Sequence, residues 1–243
     1  MSVSSDSLRA VEVRPMDANC ASISFMRKLE DQYQKTSGLV DRRDYKIFYS
    51  PIRRADILTL GDNPGGDPNV IPPGAPGTSA STGSFEKNEH DLLDCRWPEN
   101  NVLKLLIPLL GGFREEIRER VVKTNLAFRR SPTKKSLAFG MSRAMDEAAP
   151  FLDQIITAVQ PRLVHLSGPN VAEFVSRYAS ESSCLVEPVR DAAVNKTVFS
   201  AVRVRMRSAG LDLLVVQTAH ASQFSWTYDK YNVAARIRQL GFV

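Results

Sequence analysis

Cysteine is scarce in this chain. Cys20, Cys95 and Cys184 lie far apart in 243 residues. That spacing excludes a disulfide framework and any Cys-x-x-Cys metal site, and it fits a reducing, cytoplasmic setting. No apolar run is long enough to span a membrane, and no secretory signal is evident at the N-terminus. There is no Gly-Lys-Ser/Thr phosphate loop and no Gly-x-Ser-x-Gly elbow, which argues against phosphate transfer and serine hydrolysis. Histidine is equally rare: His90, His165 and His220. His90 stands with Asp91, Asp94 and Cys95, but the spacing fits no standard metal site and reads as a solvated loop. No metal and no cofactor are expected. His165 lies inside an apolar strand and reads as structural.

What is present describes a globular α/β chain. A length of 243 residues suits one sizeable domain, read here as residues 19–243 behind a loose, polar N-terminus over 1–18. A net charge of +5 permits an anionic partner such as nucleic acid without requiring one. Helical spacing runs over 20–36, 102–110, 136–159 (with a break expected at Pro150), 171–178 and 228–240. Strand patterns fall at 55–60, 121–128, 163–166 and 211–217, with an edge strand at 198–206 and an extended segment at 45–52. This alternation predicts a three-layer α/β/α sandwich around a central, mainly parallel four-stranded sheet. A Gly/Pro/Ser-rich loop over 65–100 interrupts the pattern, and loops of that length in compact domains are usually functional or disordered.

The polar residues at the strand ends carry the functional argument. The first strand breaks into Gly61-Asp62-Asn63-Pro64-Gly65-Gly66-Asp67. The second holds Asn125 near its end, the third stops at Gly168, and the last runs into Thr218-Ala219-His220-Ala221-Ser222. In a parallel sheet these ends share one edge, where open α/β folds bind ligands. Singly, each has a plainer reading: an Asx turn at Asp62-Asn63, a strand-end Asn125, a satisfied His220, a core Phe224 or Trp226.

Taken in order, the segments resemble the motifs of the uracil-DNA glycosylase superfamily. Gly61-Asp62-Asn63-Pro64-Gly65 is similar to its first motif, in the form typical of the mismatch-specific uracil/thymine branch. Thr124-Asn125-Leu126-Ala127-Phe128 is similar to its strand-end Asn segment. Pro161 to Gly168 resembles the strand before the last motif, and His220-Ala221-Ser222 resembles the family's His-Pro-Ser, with Ala221 in place of proline. The resemblance spans roughly residues 45–240.

The resemblance implies a monofunctional DNA glycosylase, a monomer that flips a pyrimidine nucleotide out of DNA and hydrolyses its N-glycosidic bond. Asn63 would hold the attacking water. Asp62 would act as a base or stabilise the sugar cation, and His220 would donate to the base oxygen as charge develops. Asn125 would read the base edge, and its amide serves uracil or cytosine depending on its orientation. Phe85 and Trp97 are both candidates for the aromatic that stacks on the base. Gly66 and Ser222 would hold phosphates, as would Arg129 and Arg130, and Phe224 would fill the gap left in the duplex. The family's iron–sulfur branch carries an acid at the position of Asp62, but this chain lacks that branch's four cysteines, so no cluster is implied. No lysine falls on a motif position, so no lyase step is implied. Strict uracil enzymes carry a bulky aromatic where this chain has Gly65. An open C5 side admits uracil or mismatched thymine, or a hydroxymethylated or glucosylated cytosine of phage DNA. Either base-excision repair or defence against phage fits. The alternative is an inactive DNA- or nucleotide-binding module of the same fold, a reading that Ala221 favours.

Overall fold

The computed structural model describes residues 18–39, 41–70, 89–96, 98–137 and 139–242. Residues 1–17 of the N-terminus expected to be loose, most of the middle of the long loop, and both stacking candidates, Phe85 and Trp97, lie outside the described residues. The elements run in the order α1 (Ala18–Ser37), β1 (Ile57–Gly61), α2 (Asp91–Asp94), α3 (Leu103–Leu109), α4 (Glu116–Arg120), β2 (Val121–Asn125), α5 (Gly140–Val159), β3 (Leu163–Ser167), α6 (Val171–Tyr178), β4 (Ala179–Asp191), β5 (Lys196–Met206), β6 (Asp212–Thr218), α7 (Ala221–Phe224), α8 (Trp226–Lys230) and α9 (Val233–Gln239).

Among the described residues the strands form one six-stranded mixed sheet, ordered β2-β1-β3-β6-β5-β4. The first four are mutually parallel, and β5 and β4 continue the sheet antiparallel. The parallel core of four strands matches the sequence expectation, whereas the sheet is wider than the four strands expected. Strand β5 is interior rather than an edge, because β4 covers it.

Period-two alternation divides the parallel strands between two cores. Ile57, Val121, Leu163, Leu214 and Val216 join one cluster with Leu105 and Leu106 of α3 and Ile237 of α9. Leu58, Leu60, Val122, Val164, Leu166 and Val215 join the other with α1, α5 and α6. Strands covered on both faces need near-continuous apolar sequence, and that is why these four were readable as runs.

Three boundaries differ from expectation for local reasons. Helix α5 continues through Pro150 without a break. Pro150 and Asp146, whose carbonyl loses its partner, both lie on the exposed face, while Ala144, Met145, Ala148, Phe151, Leu152, Ile155, Ile156 and Val159 form a buried stripe. Packing of that stripe outweighs a proline cost of about 3 kcal/mol. The strand expected over 121–128 pairs only to Asn125, after which Leu126 and Ala127 donate backbone bonds to Gly61 and Asp62. The helix expected over 228–240 is two helices, α8 and α9, parted by Asn232 at φ 48°, a left-handed turn that asparagine tolerates. Trp226 is exposed rather than core, and His90 is fully buried rather than solvated.

Candidate active site

The carboxyl ends of the parallel strands meet on one edge of the sheet. Gly61 and Asn125 are register partners across β1 and β2, and Ser167 and Thr218 are partners across β3 and β6. Just beyond them lies a cavity of about 220 Å³, lined by Gly61, Asp62, Asn63, Gly65, Gly66, Asn125, Ser167 and His220 together with Lys46, Tyr49, Thr59, Pro98, Val102, Lys123 and Arg130. The structure thus gathers Asp62, Asn63, Gly65, Asn125 and His220 around one volume. A second hollow of about 580 Å³ adjoins it, sharing Asp62, Asn63, Gly65 and His220 and adding Ser131 to Lys134, Gly168, Phe224 and the turn between β4 and β5.

The loop after β1 is braced on its outer side. Ser131 donates its backbone N–H to Pro64 O at 3.1 Å. The Asn63 side-chain nitrogen donates to Pro64 O and to Ser131 Oγ, each at 3.0 Å. Arg130 reaches Gly65 O at 2.7 Å and Arg43 O at 3.1 Å. Burial pushes its guanidinium below the ordinary value. Arg130 is therefore a clamp on the Gly65 turn as well as a cavity wall. Arg129 is committed elsewhere: it forms a bidentate pair with Glu147 and does not line the cavity or the adjoining hollow.

Asp62 and His220 flank Gly168. A Cβ built there would stand 3.1 Å from Asp62 Oδ2 and 2.9 Å from His220 Cδ2, at a φ of +102° that itself favours glycine. Asp62 is buried, and its carboxylate pairs with Lys134 Nζ at 2.5 Å, a lysine whose side chain is half exposed. His220 caps α7. Its Nδ1 accepts from the Ser222 backbone N–H at 3.3 Å and lies 2.7 Å from Ser222 Oγ. An acceptor at Nδ1 puts the proton of the neutral ring on Nε2, which makes that edge a donor. The Ser222 hydroxyl, expected at a phosphate, meets the imidazole and orients it. The Ala221 N–H is taken up by Ser167 Oγ at 3.2 Å, so the segment is tied to β3 without the family's proline.

Among the wall residues not anticipated, Tyr49, Lys46 and Lys123 surround Asn125. Asn125 donates its amide to Tyr49 OH at 2.8 Å. Lys46 and Lys123 place their ammonium groups 4.2 Å and 4.7 Å from the Tyr49 ring centroid. Lys46 also pairs with Asp91 at 2.5 Å, and both lysines are buried. With Arg130, they bring three basic side chains to the wall around Asn125, Lys46 as half of an ion pair. The signal available for Lys123 was a lysine inside a strand that is otherwise Val-Val and Thr-Asn. Tyr49 sits on the segment over 45–52 read as a short strand or extended, which carries an isolated bridge from Tyr45 to Arg129.

Among the described residues no group of His, Cys, Asp and Glu is placed to hold a metal ion, and no helix is long and apolar enough to cross a membrane. His90 is spoken for, with Nδ1 accepting from Leu92 and Nε2 bonding to Val121 O at 3.0 Å. Neither a family model nor a curated protein matches this chain.

Proposed function

We propose that this chain is a monofunctional DNA glycosylase of the uracil-DNA glycosylase type, acting on a pyrimidine turned out of DNA into the 220 Å³ cavity. The observation that carries this reading is the convergence of Asp62, Asn125 and His220 from three strand ends on one cavity. A volume below the roughly 300–1,000 Å³ of sites for drug-sized ligands suits a single base.

Each group has a physical part. Asn125 meets the base edge, its orientation held by Tyr49. His220 donates from Nε2 to a base oxygen on which negative charge grows as the glycosidic bond breaks. Lys46, Lys123 and Arg130 favour the same departing anion through the field they set up in a water-poor pocket. Asp62 faces the sugar, where a carboxylate stabilises an oxocarbenium ion or takes a proton from water beside Asn63. Water attacks C1′, the base leaves with the bonding pair, and an abasic site remains. Lys46 and Lys134 are engaged in ion pairs with Asp91 and Asp62, which supports hydrolysis over attack by an amine.

Gly65 bears on the substrate. An added Cβ there meets nothing within 4 Å, so the turn leaves open space beside the cavity. That space supports a base carrying a C5 substituent, either thymine in a mismatch or a hydroxymethylated or glucosylated cytosine, alongside uracil itself. Repair and phage defence are the two roles this allows. The pairing of Lys134 with Asp62 favours the second reading, a binding module whose carboxylate is neutralised. Alkaline cleavage of labelled oligonucleotides containing uracil, mismatched thymine, 5-hydroxymethylcytosine or its glucosylated form decides between them. Excision of one base, lost in Asp62→Ala and His220→Ala, is the expected result. DNA binding without excision of any of them is the outcome that favours the module.

A further inference from the structure

In the hairpin of β4 and β5, strand β4 has no counterpart among the expected strands. Strand β4 is 13 residues long, yet only its two ends, Ala179 and Asp191, are fully buried. Its middle adds little to either core, so core packing does not explain its length.

Its far end explains more. Arg190, Asn195, Lys196 and Thr197 all line the 580 Å³ hollow that opens into the cavity at Asp62, Gly65 and His220. Arg190 and Thr197 are register partners, as are Asp191 and Lys196. Arg190 and Lys196 are exposed, and neither has an ion-pair partner among the described residues.

The acid between them is cancelled and put to structural use. Asp191 is 1% exposed. Its carboxylate accepts from the backbone N–H groups of Ala193 and Val194 at 2.8 Å and 3.3 Å, which shapes the turn. The same group accepts from Lys230 Nζ at 2.6 Å and Tyr231 OH at 2.7 Å. Lys230 ends α8, which follows directly on α7 and Phe224. The hairpin turn is thus fastened to the segment that carries His220, and it presents two unpaired cations beside the cavity mouth.

We propose that this turn is a DNA backbone clamp, in which Arg190 and Lys196 each hold a phosphate next to the nucleotide that enters the cavity. The clamp rests on the glycosylase reading for the identity of its partner. A base can reach the cavity only if its strand lies across the adjoining hollow, and two fixed cations there neutralise phosphates without reading sequence.

The test is duplex binding by fluorescence anisotropy over a salt series, for the full chain and for an Arg190→Ala/Lys196→Ala double variant. Lys28→Ala/Lys35→Ala, at two exposed positions of α1, controls for net charge alone. The Arg190→Ala/Lys196→Ala double variant is expected to bind on the order of 10-fold or more weakly near 0.1 M salt, with the slope of log K against log salt reduced by about two. Excision by the variant should show a raised KM and an unchanged kcat. Wild-type affinity and slope in the double variant would overturn the clamp and leave the glycosylase reading standing. Hairpin-dependent binding with no excision of any base would keep the clamp and overturn the glycosylase. A wild-type chain that binds no duplex overturns both.

Discussion

The amide oxygen of Asn125 occupies the space in which a side chain on Gly61 would begin, for a Cβ there would approach it to 2.4 Å. The two residues are partners in the sheet register, so neither strand can move aside to relieve the clash. What yields is the end of the Asn125 side chain. Gly61→Ala is therefore expected to leave the melting temperature nearly unchanged and to turn the base-reading amide away. Displacements of about 1 Å at such a group cost on the order of 100-fold in rate. Single-turnover excision measured beside a thermal melt checks this. A variant as active as wild type would show that Asn125 does not read the base.

Tyr49→Phe removes the hydroxyl that accepts from Asn125 and keeps the ring between Lys46 and Lys123. One neutral hydrogen bond contributes about 1 kcal/mol, or roughly fivefold. The expected result is a loss of that size in kcat/KM, with discrimination between uracil and cytosine derivatives relaxed because the amide can then turn over. Competition between the two substrates in one tube measures it directly. Loss of rate with discrimination intact would assign Tyr49 a packing role only.

Gly65→Tyr fills the open side of the cavity at little cost to folding, since the first added atom meets nothing and the backbone is not left-handed. Activity on any C5-substituted pyrimidine should fall by at least about 10-fold, the scale at which a filled pocket rejects an added group. Activity on uracil should fall much less. Equal losses on all substrates would point to damage at the Arg130 clamp instead.

Acidification should destabilise the fold through two histidines that do not belong to the site. Burial holds His90 down to about 4 and His165 to about 3, below the ordinary 6.5. Above pH 6.5 both are neutral folded or unfolded, and their contribution is fully present. Below it, the unfolded chain takes up protons that the folded chain refuses, so stability falls toward pH 4 by up to about 1.4 kcal/mol per pH unit for each ring. Urea midpoints at pH 7.5, 6, 5 and 4.5 test this. A midpoint that holds level from 7.5 to 4.5 would contradict it.

The legible parts of the fold were those whose burial is regular. Strands β1, β2, β3 and β6 are covered on both faces and spell out as Ile-Leu-Thr-Leu, Val-Val, Leu-Val-His-Leu and Leu-Leu-Val-Val. Strand β4 was missed because it is exposed along both faces, so Ser-Glu-Ser-Ser-Cys carries neither an apolar run nor an alternation. It even accommodates Pro188, which a sheet accepts at an edge. The same divide runs through the site. Asp62, Asn63, Gly65, Asn125 and His220 follow strand ends and could be placed by position. Tyr49, Lys46 and Lys123 reach the cavity from an extended segment and from mid-strand, where only the folded chain brings them together. The contact of Ser222 Oγ with His220 Nδ1 is likewise set by the turn of α7, which only the folded chain makes.

His165 lies between Thr59 and Thr218, with Nδ1 3.0 Å from the first hydroxyl and Nε2 2.9 Å from the second. One imidazole thus bolts β1, β3 and β6 together a few residues before Asp62, Gly168 and His220. The spacing of the strand ends that carry those three groups is consequently set within the sheet's interior. On the glycosylase reading, sequence change in the loops would alter which base enters, or how DNA is gripped, more readily than it would retune the chemistry. A scaffold of that kind can change its target quickly while its reaction stays fixed.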